Sequence, residues 1–65
     1  MPSTVISSFQ YEPATLTLTV VFVSGMVYNY KGVPEKLYHA MRRSGSKGIF
    51  LNNYIKGHYE FEKVG

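Results

Sequence analysis

The sequence predicts an α+β fold in the order βββααβ: a three-stranded antiparallel meander, two helices and a short C-terminal strand. Three observations carry that prediction. Thr15, Thr17 and Thr19 alternate with Leu16, Leu18, Val20 and Phe22, the period of a half-buried strand. Ser24-Gly25 follows at once and supplies a hairpin turn. Beyond Pro34 the apolar period lengthens, so that Leu37, Tyr38 and Met41 share one side of a helix.

In chain order, residues 4–11 mix β-branched and aromatic residues with serines, and Glu12-Pro13 closes this first strand with a turn signal. The second strand covers 14–23, with its even-numbered residues toward the core. Two loops can join it to the third. A two-residue Ser24-Gly25 loop would turn Val27, Asn29 and Lys31 inward, at the cost of burying an amide and an ammonium. A three-residue loop with Gly25 left-handed pairs Phe22 with Met26 and turns Tyr28 and Tyr30 inward. The second loop is favoured.

Gly32-Val33-Pro34 ends the third strand, and Pro34 suits the first position of a helix running to Arg43. Pro34, Leu37, Tyr38 and Met41 face the sheet, Lys36, His39 and Arg43 face solvent, and Arg42 and Arg43 complement the dipole of the last turn. Ser44-Gly45 breaks the helix, and Ser46 is expected to cap a second one that reaches about Lys56 and stops at Gly57. Its inward face is Phe50, Leu51, Tyr54 and Ile55, with Ile49 off that face. His58 to Glu62 alternates again as the closing strand. The predicted core is Leu16, Leu18, Phe22, Leu37, Met41, Phe50, Tyr54 and Ile55.

The 65 residues, 45% hydrophobic and 17% charged, suit one folded domain spanning 1–65. With no Cys, neither a disulfide staple nor a thiolate metal site is available. No apolar run is long enough to span a membrane, and the Met1-Pro2-Ser3-Thr4 start lacks the regions of a signal peptide. A soluble cytoplasmic protein with no membrane partner is the expectation. His39 and His58 lack a nearby third ligand, so no metal and no cofactor is expected. No nucleophile elbow and no Walker A loop is present, and no catalytic residue is singled out.

The informative property is charge placement. Residues 1–30 hold a single side chain charged at neutral pH, Glu12, whereas Lys31 to Lys56 hold six bases against Glu35, a net +5. Such a half suits phosphates or an acidic partner. Within it, Arg42-Arg43-Ser44-Gly45-Ser46-Lys47-Gly48 sets bases, hydroxyls and glycines around a predicted helix start, the outline of an anion site. The reading is a nucleic-acid-binding module, for RNA, without catalysis. Arg42, Arg43, Lys47, Lys36 and Lys56 would meet phosphates, Ser46 and Gly48 would shape the anion loop, and Tyr38 would offer a ring for stacking. The alternative is a protein-interaction module or homodimer that uses Thr15, Thr17 and Thr19 with Val21 and Val23. A third is a metal-independent RNase built from His, Lys, Arg, Tyr and Glu side chains.

The residue order also resembles the KTSC domain, a small bacterial and phage family named for the C-terminal region of some lysyl-tRNA synthetases. The resemblance lies in Tyr11; in Leu16, Leu18 and Phe22 before Gly25; and in Tyr28-Asn29-Tyr30 as the Tyr-x-Tyr centre. It continues through Val33-Pro34, Tyr38, Ser46-Lys47-Gly48, Phe50, Asn52, Ile55 and Tyr59. Glu12 stands where an Asp often follows the first Tyr, and Ser44-Gly45 where the family tends toward Ala or Pro. The resemblance implies a lone α+β domain for which RNA binding has been suggested. It marks Tyr28, Tyr30 and Ser46-Lys47-Gly48 as candidate positions and brings no catalytic residue.

Overall fold

A computed structural model describes residues 6–65. Four strands form one antiparallel sheet in the order β1-β2-β3-β4: β1 is Ile6–Glu12, β2 Thr17–Phe22, β3 Val27–Tyr30 and β4 Phe61–Lys63. Between β3 and β4 come α1, Glu35–Arg43, and α2, Lys47–Phe50, which runs on into a π-helical stretch, Leu51–Ile55. The predicted order of strands and helices is the observed one. The start of the first strand at Thr4 and Val5 lies outside the described residues.

The β2–β3 hairpin takes the bulged register. Leu18 lies opposite Tyr30 and Val20 opposite Tyr28. The Phe22 N–H donates to the Met26 carbonyl at 2.9 Å, and the Gly25 N–H to the Phe22 carbonyl at 2.9 Å. Gly25 has φ +95°, a conformation that costs glycine no Cβ clash. Leu18, Val20 and Tyr30 therefore point to one side of the sheet. There Val33, Met41, Leu51 and Ile55 meet them to complete the buried core. Both helical segments thus cover the same face, and Thr19 and Asn29 lie on the open one, where the Thr19 hydroxyl donates to Asn29 Oδ1 at 2.7 Å.

Several expectations are corrected. Leu16 is not in the core: the strand begins at Thr17, and Leu16 ends the preceding turn with φ +55° and 43% of its surface exposed. Its left-handed backbone takes the side chain out of the alternation, while its carbonyl accepts the Val33 N–H at 2.9 Å. Val33, expected only to end a strand, is buried instead, and its own carbonyl accepts the Tyr11 hydroxyl at 2.6 Å. These two bonds tie the β1–β2 turn and the end of β1 to the loop before α1.

Pro34 is the residue before the helix, with ψ 149°, and its carbonyl accepts the Leu37 N–H at 3.0 Å. Ser46 does stand at the start of α2, but its side chain makes no capping bond. Tyr54 is 54% exposed and not a core residue. The cause is the π-helical turn, closed by the Lys56 N–H on the Leu51 carbonyl at 2.7 Å. A turn closing over five residues brings Leu51 and Ile55 nearly into line and carries Tyr54 off their face. Ile49 is exposed, as its position off the apolar face predicts. The closing strand starts at Phe61 because the His58 N–H bonds back to the Ile55 carbonyl at 3.0 Å and Gly57 turns with φ +84°.

Candidate nucleic-acid interface

The amphipathic pattern of α1 decides where its bases go. With Leu37, Tyr38 and Met41 turned to the sheet, Lys36, His39 and Arg43 are left in solvent, where with Ala40 and Ser44 they surround a shallow concavity of about 500 Å³. His39 Nε2 lies 3.3 Å from Glu35 Oε2, one helical turn earlier. Arg42 sits over the Tyr38 ring, 5.8 Å from its centroid. That ring stacks on Tyr11 at 4.8 Å and meets Phe9 edge-on at 5.9 Å. Tyr38 is thus half-buried, and its face holds a cation in place.

The junction between the helices serves structure as well as charge. Lys47 Nζ donates to the Arg42 carbonyl at 3.2 Å and to the Ser44 carbonyl at 3.0 Å, so an ammonium sits at the negative end of α1. Ser44 Oγ and Ser46 Oγ are buried beside it without a hydrogen-bond partner among the described residues.

A second concavity lies over β2 and β3. Phe22, Tyr28 and Tyr30 form its sheet side and Gly48, Asn52 and Lys56 its helical side, enclosing about 390 Å³. Phe22 and Tyr28 meet edge-on at 5.5 Å, Tyr28 and Tyr30 lie parallel at 6.3 Å, and Phe61 packs on Tyr28 from β4 at 5.2 Å. Tyr30 is 2% exposed. Burial, with the Tyr28 phenol beside it, pushes its hydroxyl above the ordinary value of 10.0. Desolvation and the Glu35 carboxylate do the same to Tyr11.

The candidate residues divide between these places. Lys36 and Arg43 share the α1 concavity with His39, and Arg42 lies beside them on Tyr38. Tyr28, Tyr30, Gly48 and Lys56 come together in the cleft, and Lys47 and Ser46 occupy the junction. Phe22, expected in the core, and Asn52 complete the cleft. The register that turns Tyr28 inward also puts Phe22 next to it, but which residues line a concavity depends on how the helical segment lies across the sheet.

Electrostatically the helical layer carries an excess of bases, with Glu35 its one carboxylate among the described residues. Among the described residues the ion pairs are Lys31 with Glu62, at 3.6 Å, and His39 with Glu35. Lys36, Arg42, Arg43 and Lys56 are exposed and have no carboxylate partner among those residues.

Residues 2–59 match the KTSC domain family. The crystal structure of a KTSC domain protein from Yersinia pestis superposes with a TM-score of 0.86 at 36% identity, covering 92% of this chain and 84% of that one. A lysine-tRNA ligase of Nostoc punctiforme is 43% identical over 60 residues, which are 92% of this chain and 11% of the ligase. An uncharacterized protein of Stutzerimonas stutzeri is 31% identical over 65 residues, 98% of this chain and 92% of that protein.

Proposed function

We propose, from the premise that this chain belongs to the KTSC domain family, that it is a small RNA-binding module whose helical layer meets the phosphate backbone. The observation that carries this reading is the set of four exposed bases, Lys36, Arg42, Arg43 and Lys56, without carboxylate partners among the described residues. Unneutralised cations on one layer attract a polyanion and release its counterions on contact. The relatives add support from another direction. A ligase named for lysine and tRNA has a stretch 43% identical to this chain, and RNA is the polyanion in that name.

Arg42 and Arg43 test the reading. Changing both to Gln removes two phosphate contacts and should weaken binding to labelled single-stranded RNA while lowering the steepness of its salt dependence by about 1.4 in the log–log plot. A double variant that keeps the wild-type slope contradicts the placement of phosphates on α1. Because Arg42 rests on Tyr38, the thermal midpoint of the variant is measured alongside, to separate lost contacts from lost fold.

A further inference from the structure

The cleft between β2, β3 and the π-helical stretch has a different chemistry from the basic concavity on α1. Its sheet side is aromatic: Phe22 and Tyr28 are half-buried, with the buried Tyr30 beneath. Its helical side carries the buried Gly48, the exposed Asn52 amide and the exposed Lys56 ammonium. A volume of about 390 Å³ falls at the small end of ligand pockets, which run roughly 300–1,000 Å³.

We infer that this cleft is a socket for one unstacked nucleobase of the bound RNA, with its phosphate at Lys56. The inference rests on the RNA reading above and adds to it the place where a base is held. A flat ring finds aromatic surface to lie against, and such stacking contributes about 1 to 3 kcal/mol per base in single-strand binders. The absence of a side chain at Gly48 lets a ring come close to the helical backbone. Asn52 carries two donors and an acceptor, which match the edge of a base as they could not match an aliphatic ligand. Lys56 supplies the positive charge a nucleotide needs and an uncharged apolar molecule does not. The cleft would read a base while the α1 bases hold the backbone, the division of labour seen in RNA recognition generally.

Amide chemical shifts of Tyr28, Gly48, Asn52 and Lys56 report on the socket during titration with each of the four nucleoside 5′-monophosphates and with ribose 5-phosphate. At least one nucleotide should give saturable shifts at these residues, with ribose 5-phosphate weaker by about 10-fold or more, since it lacks the ring. Asn52→Ala should weaken that nucleotide by about 3- to 10-fold, the loss of one hydrogen bond. Lys56→Gln should weaken the nucleotide and ribose 5-phosphate alike. Ribose 5-phosphate binding as well as the nucleotides, or shifts confined to Lys36, Arg42 and Arg43, overturns the socket. Anisotropy of labelled single-stranded RNA on the same samples separates the two readings. Salt-dependent RNA binding with a silent cleft defeats the socket alone. A failure to bind RNA defeats both.

Discussion

Leu16 shows how one backbone angle overrides a side-chain pattern. By alternation it belongs with Leu18 and Val20, yet its φ of +55° places it in a turn and leaves it 43% exposed. A left-handed conformation is unfavourable for any residue with a Cβ and free for glycine. Leu16→Gly should therefore change stability by less than about 1 kcal/mol, against the roughly 2–5 kcal/mol that truncating a core leucine costs. Urea denaturation decides between these values. Tyr30 makes the opposite case, a polar tip accepted into the core. Its folded-state pKa lies above the ordinary 10.0, so its contribution to stability is complete below that value and is lost as pH rises through the folded one. The urea midpoint should fall above about pH 10 in the wild-type protein and fall less steeply in Tyr30→Phe.

At the scale of elements, turn chemistry and helical period set what could be foreseen. The hairpin register was legible because only one loop spares Asn29 and Lys31 from burial, and that loop needs a left-handed Gly25. Gly25→Ala should accordingly cost about 1 kcal/mol from backbone strain, because open space surrounds the added Cβ. Gly45→Ala, also with open space and without a left-handed φ, should be neutral or stabilise by about 0.4–1 kcal/mol through the unfolded chain. Thermal melts of the pair test the contrast. The π-helical turn was not legible, since its extra residue follows from a backbone bond between Lys56 and Leu51 that no apolar spacing announces. Leu51→Ala should cost about 2–5 kcal/mol and Tyr54→Ala less than about 1 kcal/mol, although a uniform α-helix would bury both.

The whole molecule has two unlike faces. On the open side of the sheet Thr19 bonds to Asn29, and nearby Lys31 is paired with Glu62, so charge there is largely balanced. The helical layer carries Lys36, Arg42, Arg43 and Lys56 without such partners among the described residues. That asymmetry was visible in the sequence as a basic second half, because the amphipathic period of α1 sends its bases outward. The aromatic cleft was visible only as separate parts. Tyr28 and Tyr30 could be placed on the inner face by register, and Gly48, Asn52 and Lys56, four residues apart, on one side of a helix, but that this side meets the two tyrosines depends on how the helical segment lies across the sheet.

Fluorescence anisotropy of the wild-type protein with labelled single-stranded RNA, across a series of salt concentrations, tests the role of the helical layer most directly. Four unpaired bases on phosphates predict a log–log slope of about −3. No binding at low salt, or binding indifferent to salt, contradicts an RNA-binding helical layer and turns attention to a protein partner on the open face of the sheet.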